Sequence, residues 1–269
     1  MKAAQPIGIF DSGIGGLTVA KAIRQLLPNE SIVYFGDTEH MPYGAKSVEH
    51  IRGYSLRIAE FLESKQVKMI VIACNSASSV AYYPLLEKYA NQLHIVDVIS
   101  PVAEFVAKKQ FSKVGIIGTK PTIKSKAHEL EISKQTTQTK VASVATPLLA
   151  PMIEEGFFNN NISQTIINAY LSNRRLTKLN ALVLACTHYP LIKNQVSKFY
   201  KKAIDIIDPA TLTAQKVEEI LLREKLLFKG AKKKDQFFVS EHTETFAAST
   251  KLFYSQEVDI VEVDLWADR

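Results

Sequence analysis

Two hydrophobic patterns alternate along this chain, short uninterrupted apolar runs and longer segments with an apolar residue every three or four positions. The first run, residues 7–10, precedes the turn Asp11-Ser-Gly-Ile-Gly-Gly16, and an apolar stripe follows at Leu17, Ala20, Ile23, Leu26 and Leu27. A continuous run is typical of a strand covered on both faces, and such a stripe is typical of an amphipathic helix. We therefore predict a strand, a glycine-rich turn and a helix, with the turn backbone lying close to a small ligand.

The same alternation continues to the end of the chain. Apolar runs predict strands over 32–35, 69–73, 95–98, 139–144, 203–207, 237–239 and 260–263. Helical spacing predicts helices over 47–63, 79–89, 191–200, 209–222 and 243–253, with Pro101 in the first turn of another. Strands that alternate with helices favour an α/β fold with mostly parallel sheets.

One half of the sequence weakly repeats the other. Gly8-Ile-Phe-Asp-Ser12 resembles Gly115-Ile-Ile-Gly-Thr119, and a cysteine motif follows each at a similar interval. We interpret this as an internal duplication that gives two pseudosymmetric three-layer α/β domains with a cleft between them. The predicted domains are residues 1–98 plus 208–269, and residues 99–207.

Both cysteines end an apolar run. Cys74 precedes Asn75 and Ser76, and Cys186 precedes Thr187 and His188. One such cysteine is usually a small buried hydrophobe, but two in equivalent places favour a function. Ligands bind at the carboxyl ends of strands in α/β sheets, and helix-start amides are expected to lower a thiol pKa.

Composition and charge limit the class of protein and the partners that it can have. The 269 residues are 46% apolar and 22% charged, which is typical of a globular protein, and the net charge is +6. Short runs such as Lys201-Lys202 are expected to be solvated faces and not nucleic-acid contacts, because no aromatic residues are interleaved with them. Without a membrane-length apolar stretch or an apolar signal core, we expect a cytoplasmic protein with no membrane partner and two free thiols. The net positive charge is also compatible with a small anionic substrate.

Two thiols facing one cleft permit inversion at a carbon atom. If a planar carbanion lies between them, one thiolate removes a proton from one face and the other thiol protonates the opposite face. Asn75, Ser76, Thr187 and Ser12 could hold the substrate carboxylate. Asp11 could orient the substrate ammonium or influence Cys74, and His188 could tune Cys186 or relay its proton.

Other interpretations use the same residues. One is a cysteine hydrolase, which needs one nucleophile and a histidine base. Another is a zinc site formed by Cys74, Cys186 and His188. Two similar halves could also form a non-enzymatic sugar-binding or amino-acid-binding module. A dinucleotide site with Asp37 as the ribose acid is disfavoured, because Thr18 stands in place of the third glycine.

Five ordered motifs resemble the cofactor-independent glutamate racemases of the aspartate/glutamate racemase family. They are Gly8-Ile-Phe-Asp-Ser-Gly13, Gly36-Asp37 with Pro42-Tyr-Gly44, Ala73-Cys-Asn75, Gly118-Thr119 and Cys186-Thr-His-Tyr-Pro-Leu191. The resemblance implies two pseudosymmetric domains that interconvert L- and D-glutamate for peptidoglycan synthesis, with no cofactor and no metal. The similarity covers most of the chain.

The resemblance also implies roles for individual residues. Cys74 would act on D-glutamate and Cys186 on L-glutamate, with support from Asp11, Glu154 and His188, although Glu155 lies beside Glu154. The substrate-binding positions would be Asp11, Ser12, Tyr43, Gly44, Asn75, Ser76, Thr187 and His188.

One position departs from the family pattern. Ser76 stands where the family usually has threonine, so we expect binding to survive with slightly looser packing. Aspartate racemases share the two-thiol mechanism and are the nearest alternative, but they generally lack the Asp-Ser-Gly opening. The sequence leaves open whether the chain forms a homodimer.

Overall fold

A computed structural model describes residues 2–90, 92–242 and 244–267, without the side chains of 244–248. Its strands form two sheets in which the neighbouring strands are parallel. The first sheet contains β1 (Ile7–Asp11), β2 (Ile32–Gly36), β3 (Met69–Ile72), β4 (His94–Asp97), β9 (Gln236–Val239) and β10 (Ile260–Glu262). The second contains β5 (Lys113–Gly118), β6 (Lys140–Ala145), β7 (Ala181–Ala185) and β8 (Asp205–Ile207).

The order of strands repeats between the two sheets. The first sheet runs β10-β9-β2-β1-β3-β4 and the second runs β6-β5-β7-β8. The order β2-β1-β3-β4 therefore matches β6-β5-β7-β8 strand for strand, as an internal duplication predicts. In this match β3 is equivalent to β7, and these strands lead into Cys74 and Cys186. The predicted boundaries of the two domains stay a prediction.

Helices connect the strands and cover the sheets. They are α1 (Leu17–Leu26), α2 (Val48–Ser64), α3 (Asn75–Tyr89), α4 (Ser100–Lys109), α5 (Lys120–Ser125), α6 (Ala127–Gln135), α7 (Leu149–Glu154), α8 (Asn161–Leu171), α9 (Lys193–Phe199), α10 (Pro209–Arg223) and α11 (Glu244–Tyr254). Short 3-10 turns lie at Tyr43–Ala45, Arg174–Leu176 and Tyr189–Ile192. Among the described residues, every helix is too short or too polar to cross a bilayer.

One hydrophobic cluster joins the two halves. It includes Ile9 of β1, Ile23 of α1, Val217 of α10 and Leu184 of β7, each completely buried. Burial of apolar surface contributes about 25 cal/mol per Å² to stability. Separation of the two sheets would expose this cluster to water, so the cluster holds the sheets together. As a result, the carboxyl end of β3 faces the second half of the molecule, and the carboxyl end of β7 faces the first half.

The structure corrects several predicted elements. Helix α3 begins at Asn75 and not at residue 79, because extended Cys74 (φ −72°, ψ 124°) is itself the residue that precedes the first turn. Leu26 is 38% exposed and lies off the buried stripe of α1. The segment predicted as one helix over 191–200 begins as the 3-10 turn and continues as α9. Helices α5, α6, α7 and α8 had not been predicted, and Thr243 lies outside the described residues.

Candidate active site

A cavity of about 250 Å³ lies where the two halves meet. Cys74 and Cys186 both line this cavity, and they are 6% and 7% exposed. Ten of the eleven predicted site residues line it, namely Ser12, Tyr43, Gly44, Cys74, Asn75, Ser76, Glu154, Cys186, Thr187 and His188. The structure thus brings together two motifs that are far apart in sequence, one from each sheet.

The Cys74 thiol lies at the start of α3, where β3 has just ended. Its Sγ is 3.7 Å from Oγ of Ser12, and both cysteines are free. Burial, and after it the nearby charge of Asp11, raise the pKa of Cys74 to about 12, against a lowering effect of the Ala77 amide at the helix start. The prediction of a lowered pKa is therefore wrong for Cys74, because desolvation outweighs the helix amides.

Asp11 is the predicted site residue that does not line the cavity. It is completely buried at the end of β1, where Oδ2 accepts a hydrogen bond of 3.1 Å from the Gly13 amide. Burial raises the pKa of this carboxyl, and the nearby His188 opposes that effect. The predicted contact between Asp11 and the substrate ammonium stays a prediction, since Oδ1 of Asp11 has no hydrogen-bond partner among the described residues. Asp11 lies where its charge acts on Cys74 and His188.

Cys186, His188 and Glu154 form a connected row in the wall of the cavity. Nδ1 of His188 is 3.6 Å from Sγ of Cys186, and Nε2 is 2.7 Å from Oε1 of Glu154. Burial disfavours the charged ring, but the contacts with Cys186 and Glu154 outweigh burial and raise the pKa of His188 to about 10. A protonated His188 can therefore exchange a proton with Cys186. Glu155 is exposed and does not line the cavity, so the structure favours Glu154.

Tyr43 contributes its ring to the wall, but its hydroxyl is engaged elsewhere. The hydroxyl donates a hydrogen bond of 2.7 Å to Oδ2 of Asp37. Burial and the Asp37 charge keep the pKa of Tyr43 well above its ordinary value. Asp37 is completely buried and also contacts His40 and Ser240 at 3.0 Å, so it is not available as a ribose acid.

Three hydroxyl groups link α3 to the second half beside the cavity. Oγ of Ser76 is 3.1 Å from Oγ1 of Thr119 and 3.3 Å from Oγ1 of Thr122, and the two threonines are 2.9 Å apart. Ser76 thus retains the hydroxyl function of the usual threonine. Thr119 lines the cavity and precedes the first turn of α5. Thr119 belongs to the Gly118-Thr119 motif of the sequence, from which no role in the site was predicted.

The glycine-rich turn has a second purpose that sequence reasoning missed. Gly13 lines the cavity, as close approach to a ligand predicts. A Cβ atom on Gly15, however, would lie 2.3 Å from Oγ1 of Thr187 and 2.5 Å from Cε1 of His188. In addition, Oγ1 of Thr18 donates a hydrogen bond of 2.9 Å to the Thr187 carbonyl. The turn of the first half therefore fixes the second cysteine motif in place.

Lys120 was also missed by sequence reasoning. It is exposed at the start of α5 and lines the cavity, together with the charged side chains of Glu154 and His188. A cation at the opening favours an anionic ligand. Within the part of the chain that is described, no three His, Cys, Asp or Glu side chains are placed to hold a metal ion, so the zinc interpretation gains no support.

Comparison with known proteins gives consistent matches over nearly the whole chain. The sequence profile of the Asp/Glu/Hydantoin racemase family matches residues 15–217. The chain is 39% identical to the glutamate racemase of Geobacter metallireducens over 98% of both chains. The crystal structure of glutamate racemase from Francisella tularensis in complex with D-glutamate has a TM-score of 0.91, with 36% identity over 98% of this chain and 99% of that one. Glutamate racemase from Thermus thermophilus, in complex with beta-chloro-D-alanine, has a TM-score of 0.89, with 36% identity over 98% and 99% of the two chains.

Proposed function

This chain belongs to the Asp/Glu/Hydantoin racemase family, and we propose that it interconverts L-glutamate and D-glutamate without a cofactor. The observation that carries the proposal is the presence of Cys74 and Cys186, one from each sheet, in the wall of a single cavity. A hydrolase would use one of these thiols and leave the other without a role. Relatives that are named glutamate racemases along their whole length support glutamate over aspartate as the substrate.

The reaction is a transfer of two protons on opposite faces of one carbon. The Cys186 thiolate takes the α-proton of L-glutamate, and the electron pair of the C–H bond stays on the carbon as a carbanion. The Cys74 thiol then donates its proton to the opposite face, which gives D-glutamate and a Cys74 thiolate. The reverse direction begins with Cys74 as the base. Proton exchange between the two thiols and solvent completes the cycle.

The surroundings of each thiol support this division of work. The pKa of about 12 for Cys74 keeps it protonated at neutral pH, so it is ready to donate a proton to the carbanion. The raised pKa of His188, about 10, keeps a proton next to Cys186. Asp11 favours the protonated thiol of Cys74, because a second negative charge beside that carboxylate is unfavourable. Cys74 is therefore already in the protonated form that the L-to-D direction requires.

The substrate groups have matching partners in the cavity wall. Hydroxyls of Ser12, Ser76 and Thr119 can donate hydrogen bonds to carboxylates, as can backbone amides in the first turn of α3. Oδ1 of Asn75 is a buried acceptor without a hydrogen-bond partner among the described residues, and it suits the substrate ammonium. These oriented groups also stabilise the developing carbanion, which is a much stronger base than a thiolate.

D-glutamate made in this way would supply peptidoglycan synthesis, in a cytoplasm where both thiols stay reduced. That biological role rests on the family resemblance and on the two free cysteines.

The proposal is tested by incubating purified protein with L-glutamate, D-glutamate or L-aspartate without added cofactor and following optical activity. Either glutamate enantiomer should racemise fully, and L-aspartate should react at least about a hundredfold more slowly. Cys74→Ser and Cys186→Ser should each lower kcat by at least about a thousandfold while the fold is kept, as circular dichroism reports. A wild-type protein that leaves both glutamate enantiomers unchanged would refute the proposal.

A further inference from the structure

The positive charge of this protein is concentrated in its second half. Residues 99–207 contain fifteen lysine and arginine residues and six acidic residues, a net charge of +9. The remainder of the chain carries a net charge of −3, so the whole excess of +6 comes from the second half. Such asymmetry is an electrostatic signature of interaction with an anionic partner.

The cations of the second half gather at one edge of its sheet. All four connections that lead from a helix into a strand of this sheet carry exposed cations, and parallel strands begin at the same edge. We call these nine residues the basic face: Lys108, Lys109, Lys140, Arg174, Arg175, Lys178, Lys198, Lys201 and Lys202.

Backbone hydrogen bonds hold the four connections side by side. The Lys140 amide donates to Ser112 at 2.9 Å, and the Asn180 amide donates to Lys113 at 2.9 Å. The Asp205 amide in turn donates to Asn180 at 3.0 Å. Because Ser112, Asn180 and Asp205 belong to different connections, the cations around them lie on one continuous surface.

No residue of the basic face forms an ion pair with any residue that the structure describes. Some cations on other surfaces do have partners, such as Lys88 with Glu60, Lys216 with Glu104 and Lys234 with Asp259. Within the four connections, the sequence provides one carboxylate, Asp205. The mutual repulsion of the nine cations is therefore relieved by solvent or by a bound anionic partner.

We propose that the basic face docks on the anionic surface of a lipid bilayer. The nine cations come from neighbouring strand starts and from the helix ends beside them, so they extend in two dimensions and match a planar array of headgroups. None of the large exposed apolar side chains lies in these connections, so binding is electrostatic and peripheral, without insertion. This inference does not depend on the proposed racemase activity.

The location of the basic face leaves the cavity accessible. The cavity is lined by residues that follow the carboxyl ends of β5 and β7, whereas the basic face lies where those strands begin. A protein docked in this way turns its cavity toward solvent. The lack of interleaved aromatic residues predicted solvated lysines, and the lack of a membrane-length apolar stretch predicted no membrane partner. Neither observation bears on the basic face, because its cations belong to four separate segments that only the parallel sheet brings together.

A charge-matched pair of variants tests the proposal. The basic-face variant carries Arg174→Gln, Arg175→Gln, Lys201→Gln and Lys202→Gln, and the control carries Lys225→Gln, Lys229→Gln, Lys232→Gln and Lys233→Gln. All eight positions are exposed, and the control positions precede β9 of the other sheet. Both variants remove four charges, so an effect of net charge alone would appear equally in both.

Binding is measured by co-sedimentation with phosphatidylcholine vesicles that contain either no anionic lipid or about 30% phosphatidylserine. At about 0.05 M salt the wild-type protein should bind only the anionic vesicles, and about 0.5 M salt should release it. The basic-face variant should lose at least about tenfold in partition coefficient, and the control should stay within about twofold of wild type. Thermal unfolding of both variants checks that the fold is intact.

Three results would overturn the proposal. Binding to neutral vesicles that equals binding to anionic ones would mean that charge does not drive the association. Equal losses in the two variants would show that net charge matters and the basic face does not. A short DNA duplex that binds the wild-type protein more tightly than the vesicles would identify nucleic acid as the partner instead.

Discussion

Oε1 of Glu154 lies 2.7 Å from Nε2 of His188. The other ring nitrogen of His188 faces Sγ of Cys186 at 3.6 Å, so a carboxylate, an imidazole and a thiol stand in a row. Burial disfavours the charged ring, but the contacts with Cys186 and with this carboxylate together outweigh burial and raise the pKa of His188 to about 10. Glu154 thus helps to keep a proton beside Cys186 at neutral pH.

Replacement of Glu154 by glutamine should weaken this proton relay. We expect Glu154→Gln to lower kcat by about ten- to hundredfold, because a charged contact between a buried ring and a half-buried carboxylate is worth roughly 1.5–3 kcal/mol. Without the carboxylate, the pKa of His188 falls, and the loss of activity at alkaline pH should therefore begin at a lower pH than in wild type. Initial rates measured between about pH 6 and pH 10 would record both effects.

The neighbouring Glu155 provides a matched control. It is exposed and away from the cavity, so Glu155→Gln should keep the wild-type kcat and pH profile. Equal kinetics for Glu154→Gln and wild type, with the pH profile unmoved, would argue against the relay.

The sequence predicted most of the fold because its local signals agree with one another. Runs such as 69–73 read as buried strands, and the repeat of the cysteine motif predicted the equivalence of β3 and β7. What could not be predicted was the surroundings of each side chain. The raised pKa of Cys74 depends on burial and on Asp11, which are properties of the packed structure.

The contact between Gly15 and the second cysteine motif shows the same limit. The sequence shows the glycine-rich turn, but Thr187 and His188 are distant from it in sequence. Only the packed structure shows that these two residues occupy the space that a side chain at Gly15 would need. Likewise, Lys120 lines the cavity, but no pattern in the sequence around it predicts that position.

Addition of one methyl group at Gly15 should disturb the site. In Gly15→Ala the new Cβ would lie 2.3 Å from Oγ1 of Thr187, so Thr187 or His188 must move. We expect kcat/KM to fall at least about tenfold and the free energy of unfolding to fall by about 1–3 kcal/mol. Steady-state kinetics and urea unfolding would measure the two losses.

Gly53 supplies the control for this substitution. No atom lies within 4 Å of a Cβ placed there, within helix α2. Gly53→Ala should therefore leave kcat/KM unchanged and stabilise the protein by about 0.5–1 kcal/mol. If Gly15→Ala behaved like Gly53→Ala, the proposed support of Thr187 and His188 by the turn would be wrong.

Lys120 should attract the anionic substrate without taking part in the proton transfers. We expect Lys120→Gln to raise KM for glutamate by about threefold at low salt, with kcat unchanged, and the difference should shrink at high salt. Lys124→Gln, which removes an exposed lysine of the same helix away from the cavity, should leave KM unchanged. An identical KM for both variants at low salt would exclude the attraction.

His128 should make the protein less stable in acid. Burial lowers the pKa of this ring to about 4, and neither ring nitrogen has a hydrogen-bond partner among the described residues. Between pH 6.5 and about 4 the unfolded chain binds a proton that the folded one does not, so stability falls as pH falls through that interval. The loss attributable to His128 is about 3 kcal/mol.

Urea unfolding at about pH 7.5 and pH 4.5 tests this effect. His128→Leu should show a smaller difference between the two pH values than wild type, since the buried titrating group is gone. His50→Gln, at an exposed position, should retain the wild-type difference. The account of His128 fails if His128→Leu also retains the whole difference.

The most direct test of the two-thiol mechanism follows the isotope at the α-carbon. L-glutamate is incubated with the protein in deuterated water, and both enantiomers are analysed by mass spectrometry at low conversion. Because each thiol carries a single exchangeable proton, the account predicts fully deuterated D-glutamate and residual L-glutamate that keeps its protium. D-glutamate that retains the original proton, or deuterium that accumulates in unreacted L-glutamate at the same rate, would mean that one base serves both faces and would contradict the account.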